Sequence, residues 1–201
     1  MESNWESTGN SLLEETFEQV KGILASPNWE QVEDSKGIKV CLTNGPNNIP
    51  VGKSECVVPK PPERVSEYVS NPNNAERWGD KLKKLEVKEE GQEIKLLYLQ
   101  LKQKWPIEDR EILYVEGIRK DEEAEYLLAR SIPLDIPVEK KHTRGQLNLN
   151  CIKVEDLGNG NSKLTLLVQL DPCGNVPSRG LRKIQQNISG LLKGVKEVLD
   201  H

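Results

Sequence analysis

The segment Ser178–Leu199 reads SRGLRKIQQNISGLLKGVKEVL, and its pattern decides the fold. Leu181, Ile184, Ile188, Leu191, Leu192, Val195, Val198 and Leu199 recur at helical spacing. At about 100° per residue they share an arc about 120° wide. At 1.5 Å per residue such a helix is about 33 Å long. A helix that long and that one-sided has to lie against a large apolar surface. Gly190 and Gly194 fall on the side away from the arc, where each glycine costs about 1 kcal/mol against alanine. They mark either a helix kept loose for ligand entry or a neutral surface choice.

The strands upstream supply the apolar surface. Leu85 to Glu89 and Ile94 to Leu101 flank Glu90-Gly91-Gln92. Arg110 to Arg119 and Glu125 to Ile132 flank an acidic loop around Glu122. Gly145 to Val154 and Lys163 to Leu170 flank Gly158-Asn159-Gly160-Asn161. Each reads as a hairpin. Two earlier runs, Ile38 to Thr43 and Val51 to Val58, bring the expected number of strands to about eight. Parallel pairing needs long crossovers, and the later strands have none, so the pattern predicts an antiparallel meander.

Toward the N-terminus, Ser11 and Glu14 form a capping-box pattern. Leu12, Leu13, Phe17, Val20, Ile23 and Leu24 continue a helix that Ser26-Pro27 ends. Pro61-Pro62 opens a short second helix, and a further helical piece is expected around Trp78. Residues 1–10 read as a flexible N-terminus and residues 11–201 as one domain. The fold class expected is α+β, a curved antiparallel sheet wrapped around the long C-terminal helix.

Composition narrows the function. The chain has 201 residues, 28 basic and 32 acidic, for a net charge of −4. That balance argues against general nucleic-acid binding, which needs a basic field. No apolar run approaches the ~18 residues of a membrane span. No secretory h-region follows Met1, so a cytoplasmic protein with reduced thiols is expected. Cys41, Cys56, Cys151 and Cys173 show no metal or redox spacing, and Cys41 and Cys151 read as small buried hydrophobes. Two histidines offer no basis for a metal centre. His142 stands beside no nucleophile motif, and Gly158-Asn159-Gly160 lacks the Lys-Ser or Lys-Thr of a phosphate loop.

Four local motifs, in order along the chain, resemble the START lipid-transfer family and its helix-grip fold. Arg77-Trp78 stands where that family often has Trp-Asp, with Gly79 following here. Trp105-Pro106 precedes Asp109-Arg110-Glu111-Ile112-Leu113, which is similar to the family's Arg-Asp-Phe-Val strand opening. Pro133 to Pro137 with Arg144-Gly145 resembles its proline loop and Gly-x-(Ile/Val)-Arg strand. Asp171-Pro172-Cys173-Gly174-Asn175-Val176-Pro177 resembles its Asp-x-Gly-Gly-Trp-x-Pro segment. The resemblance spans about Leu12 to His201. In the steroid-binding branch an inward arginine pairs with an acid on the preceding strand. Those positions fall here near Glu116 and Leu97, so that pair is absent. Asn175 stands where the family often has an aromatic residue.

The resemblance implies a tunnel under the C-terminal helix that holds one lipid, and binding or transfer rather than catalysis. The expected lining is Leu181, Ile184, Ile188 and Leu191 from the helix and Tyr98, Tyr114, Tyr126 and Leu128 from the strands. Glu116 and Arg130, on hairpin strands, form a candidate charged pair for a polar lipid head, since buried charges are costly unless paired. The alternative is a rim pair worth under about 1 kcal/mol. Lys140, Lys141, His142 and Arg144, with Arg179, Arg182 and Lys183, form basic clusters that attract anionic headgroups or are simply solvated. A phospholipid, sterol or fatty acid is the expected ligand, with transient membrane contact, no cofactor, no metal, no nucleic acid, and a monomer. Two rival readings stay open. One is a helix-grip enzyme, a cyclase or hydrolase of a hydrophobic substrate using Glu116 as acid or base. The other is an interaction module with a filled core.

Overall fold

The computed structural model describes residues 4–74, 79, 81–102 and 108–201. The motifs Arg77-Trp78 and Trp105-Pro106, and the helical piece expected around Trp78, lie outside the described residues.

Among the described residues, ten strands form one sheet: β1 (Glu30–Ser35), β2 (Ile38–Thr43), β3 (Val51–Val58), β4 (Leu82–Glu90), β5 (Ile94–Leu101), β6 (Asp109–Lys120), β7 (Ala124–Ser131), β8 (His142–Arg144), β9 (Gln146–Gly158) and β10 (Asn161–Asp171). Their order is β1-β2-β3-β10-β9-β7-β6-β5-β4. All neighbours are antiparallel except β8, which pairs in parallel with the start of β6. Two strands exceed the expected set. β1, EQVEDS, lacks apolar alternation because it is a charged edge strand, a composition that discourages edge-to-edge pairing. β8 has three residues, too few for any periodicity. The β9–β10 turn matches its reading. Asn159 and Gly160 both have positive φ, at 55° and 73°, as the tightest hairpin turns require.

Alternation along the strands gives the sheet two apolar faces. The outer face carries Ile94, Leu96, Leu113, Val115, Leu149 and Leu167, and α1 (Asn4–Leu24) covers it with Leu13, Phe17 and Val20. The inner face carries Ile38, Val40, Ile152, Val154, Leu164 and Leu166, and beside them Leu97, Ile112, Ala129, Val168 and Leu170. Over it lie α2 (Pro62–Val69), α3 (Ser178–Ser189) and α4 (Leu192–Leu199).

Helix α1 starts at Asn4, seven residues before the expected cap. Ser11 is interior to the helix, its hydroxyl donating to the Ser7 carbonyl at 3.2 Å. Long-range contacts hold the extra turns. Trp5 is buried and its indole N–H donates to Glu89 at 2.6 Å, while Glu6 accepts from the Gln92 backbone N–H at 2.7 Å. Local polarity in the first ten residues hid these partners on the β4–β5 hairpin.

The C-terminal helix is not continuous. At Gly190 the backbone tightens: Leu191 N–H donates to Ile188 C=O, Lys193 N–H to Gly190 C=O and Gly194 N–H to Leu191 C=O. These three-residue spacings are 3₁₀ geometry, which often marks a hinge. The Ser189 carbonyl turns to the sheet and accepts from Ser54 Oγ at 2.7 Å.

Candidate functional site

Helices α3 and α4 grip one half of the inner face only. They contact β2, β3 and β10, with Gln185, Ser189, Leu192, Val195 and Leu199 buried against the sheet. The fit is close because β3 carries Gly52. A Cβ there would collide with Ser189 Oγ and come within 3.0 Å of the Gln185 carbonyl. Gln185 is wholly buried, and its amide acts as a peptide group would. Its Nε2 donates to Leu170 C=O at 2.6 Å, and its Oε1 accepts from Leu170 N–H at 3.1 Å. It satisfies β10 where the β9 register slips between Gln169 and Leu170.

The more apolar stripe of the helix is turned away from that contact. Leu181, Ile184, Ile188 and Leu191 are only half-buried. Ile184 and Ile188 pack against the inner-face cluster of Leu97, Ile112, Tyr114, Ala129, Leu147, Val168 and Leu170. Ile188 and Leu191 also line a space of about 40 Å³ with Asn150, Ile152 and Leu166.

Strand register fixes which expected residues share this face. Glu116 lies opposite Lys95 on β5 and opposite Ala129 on β7, and Ala129 lies opposite Asn150 on β9. Lys95, Glu116, Ala129 and Asn150 therefore form one row across the inner face, since directly paired residues point to the same side. Tyr114 sits one step along β6 from Glu116 and is buried. The Glu116 carboxyl makes no hydrogen bond or ion pair among the described residues. Glu116 is half-buried on this face, and the loss of water around its carboxyl pushes its pKa up to about 7, against a downward pull from Lys95. Burial likewise raises the Tyr114 hydroxyl well above 10, with Glu116 adding to it.

Four expected lining residues are on the other side. Tyr98, Tyr126 and Leu128 belong to the outer cluster with α1, and the Phe17 ring meets Tyr126 edge-on at 4.9 Å. Arg130 reaches Glu15 of α1 at 3.4 Å. Its register partner is Val115, so Glu116 and Arg130 point to opposite faces and do not pair. The reason is the β6–β7 turn. Asp121 Oδ1 accepts from the N–H groups of Glu123 and Ala124, closing the loop so that Lys120 pairs with Glu125. One residue more or less in that loop would move every β7 side chain to the other face. The position opposite Glu116 is likewise Lys95 rather than Leu97, whose partner is Tyr114. Lys95 Nζ lies 3.5 Å from Glu90. Neither Lys95 nor Asn150 stands out in the sequence, because single polar residues in alternating strands read as solvent-facing.

The remaining motifs converge on one frame. Arg110 Nε donates to Pro172 C=O at 2.6 Å and its NH2 group to Cys173 C=O at 3.4 Å, which ties β6 to the loop before α3. Glu111, fully buried, accepts from Tyr98 OH at 2.8 Å, Glu139 N–H at 3.1 Å and Arg144 NH2 at 2.6 Å. Burial pushes its pKa up, but those hydrogen bonds outweigh it and leave the carboxyl lowered. Gly145 donates its N–H to the Glu111 carbonyl, and a Cβ there would press to 3.2 Å from the Asp171 carbonyl. Arg144 is thus a structural residue, and Arg182 is held by Glu30 at 3.0 Å. No group of three metal-ligating side chains and no helix long and apolar enough to cross a membrane occurs among the described residues.

The START domain family model matches residues 12–199. Human StAR-related lipid transfer protein 5 superposes with a TM-score of 0.85 at 13% identity, over 96% of this chain and 97% of that one. The STAR-related lipid transfer protein from Xanthomonas axonopodis gives 0.72 at 18% identity, over 86% of this chain and 99% of that one. At such identities the likeness is one of fold. A search among curated proteins finds no match.

Proposed function

Starting from a chain that belongs to the START domain family, we propose that residues 11–201 bind one lipid between the C-terminal helix and the inner sheet face around Leu97, Tyr114 and Ala129. The domain then acts as a cytoplasmic lipid carrier or sensor in transient contact with membranes. The observation that carries this reading is the half-buried stripe Leu181, Ile184, Ile188 and Leu191. An apolar stripe this long gains about 25 cal/mol for each Å² removed from water, yet it stays half-buried while Gln185, Ser189, Leu192, Val195 and Leu199 take the close packing. A lipid chain is the partner that such a stripe, facing Leu97, Tyr114 and Ala129, is suited to take. The solved structures it resembles include proteins named for lipid transfer.

The row Lys95–Glu116–Ala129–Asn150 gives the lipid head a polar place. Glu116 accepts from hydroxyl or amide donors, and Asn150 both donates and accepts. Among the described residues no Ser, Thr, Cys or His is hydrogen-bonded to Glu116, which favours binding over turnover.

Mass spectrometry of the purified protein under native conditions tests the reading. One intact lipid per chain is expected, lost in the folded double variant Ile184→Asn, Ile188→Asn. A protein that purifies empty and takes up no offered lipid would overturn it in favour of a filled interaction module. A lipid found chemically altered would point to the enzyme.

A further inference from the structure

The inner face holds polar side chains that the fold leaves without partners. Glu116 lies in the row Lys95–Glu116–Ala129–Asn150, and Tyr114 stands two residues back on the same side of β6. Among the described residues, the side chains of Tyr114, Glu116 and Asn150 make no hydrogen bond or ion pair. Tyr114 is buried and the other two are half-buried. Comparable groups nearby are satisfied. Glu111 has Tyr98, Arg144 and a backbone N–H, and Gln185 has both polar atoms of the Leu170 peptide. Polar groups taken from water without a partner are costly, and folded proteins rarely leave them so. Three on one surface mark a place for a polar guest. Ile118, two residues on from Glu116, and Val87, opposite Leu97, belong to the same face and are 38% and 40% exposed. The polar trio is therefore bordered by apolar surface that the described residues leave uncovered.

The charges around the trio select the guest. Lys95 Nζ lies 3.5 Å from Glu90, which neutralises it. Lys120, further along β6, is held by Glu125 at 2.5 Å. Arg119 and Arg130 belong to the outer face and reach Glu14 and Glu15 of α1. Glu93, exposed in the β4–β5 turn, adds negative charge rather than positive. The carboxylate of Glu116 thus has no counter-ion of its own. An anionic head, whether carboxylate or phosphate, meets repulsion here. An ammonium pairs with the carboxylate and relieves a desolvation cost that the fold already bears.

We propose that the lipid carried here is a long-chain amine with a hydroxylated head, its ammonium held by Glu116 and its hydroxyl by Asn150 and Tyr114. The proposal rests on the carrier reading above and narrows it to one class of head. An ammonium offers three donors and no acceptor, which suits a carboxylate. A hydroxyl donates and accepts, which suits an amide and a phenol. The chain lies against Leu97, Ile184 and Ile188, which border Tyr114 and Ala129 in one cluster. Fatty acids and lipids with a bare phosphate head fall outside the class, because their charge has the sign of Glu116.

Equilibrium binding of probes delivered from cyclodextrin tests the selectivity, at pH 8, where a carboxyl with a pKa of about 7 is ionised. Tetradecylamine, tetradecanol and tetradecanoic acid share one chain and differ in the charge of the head. The wild type should bind the amine at least about tenfold more tightly than the alcohol or the acid, the scale of a hydrogen bond to a charged group. Glu116→Gln keeps the shape of the side chain and should bring the amine to the level of the alcohol. Asn150→Leu should weaken sphinganine, an amino diol, about fivefold more than tetradecylamine. Arg130→Leu, on the outer face, should leave the order of the probes as it is. An acid bound as tightly as the amine would overturn the inference. So would an amine preference that survives Glu116→Gln, the mark of mere adhesion to a chain of net charge −4. Either result leaves the carrier standing, because the probes are still bound and should still be lost in Ile184→Asn, Ile188→Asn. A wild type that binds none of the probes overturns the carrier itself, and the choice of head with it.

Discussion

The two stripes of the C-terminal helix invert a common expectation. The stripe that packs most closely includes a glutamine and a serine beside Leu192, Val195 and Leu199, while the stripe of Leu181, Ile184, Ile188 and Leu191 stays half-buried. On the gripped side, directional bonds fix the helix: Gln185 to the Leu170 peptide, Ser54 to the Ser189 carbonyl, and Lys193 to Glu33. On the open side, burial is partial and no such bonds occur among the described residues. Directional contacts specify one position for the helix. Loose apolar contact leaves a surface that a mobile guest can share. The difference teaches that affinity for a lipid and stability of the fold are carried by different residues of the same helix.

The largest test of that division is Gln185→Leu. Leucine keeps the volume but leaves the Leu170 N–H and C=O buried without partners. At about 1–3 kcal/mol for each unsatisfied group, unfolding stability in urea should fall by about 4 kcal/mol. A loss under about 1 kcal/mol would mean that the grip is apolar after all.

Glu116→Gln gives the next effect, on the open side. An acid whose folded-state pKa of about 7 exceeds its ordinary value of 4.5 takes up a proton on folding. Stability therefore falls as pH rises from about 4.5 to about 7, and the loss is complete above that. A shift of this size corresponds to about 3 kcal/mol. The glutamine variant should be more stable than the wild type by about that amount at pH 8 and equal to it near pH 4. A variant equally stable at both values would place the carboxyl in water.

How much of this division the sequence reveals depends on the range of the interaction. The helical arc is legible because its period is local, and so is the Asn159-Gly160 turn. Each strand's alternation correctly groups Tyr114 with Glu116 and Tyr126 with Arg130, because pleating is local too. Which group faces inward is not legible, since it depends on the loop length that Asp121 closes. Gln185 is invisible for a related reason. A glutamine on a helix reads as solvated until the slip in the β9–β10 register supplies an orphaned peptide for it. Trp5 reads as part of a frayed terminus because its partner, Glu89, lies far along the chain.

The smallest expected effect is the sharpest on register. Arg130 meets Glu15 across a half-exposed outer surface, where such pairs are worth under about 1 kcal/mol. Arg130→Leu should therefore leave the Glu116 titration, followed by carboxyl NMR, where it stands, and should leave any bound lipid in place. Lys95→Met should act differently, because Lys95 is the cation opposite Glu116 and pulls its pKa down. Removing it should move that titration upward, by a fraction of a unit if the amine is solvated. If Arg130→Leu moves Glu116 and Lys95→Met does not, the β6–β7 register is displaced by one residue. The inner and outer faces of β7 would then exchange, with Tyr126 and Leu128 turning to the lipid.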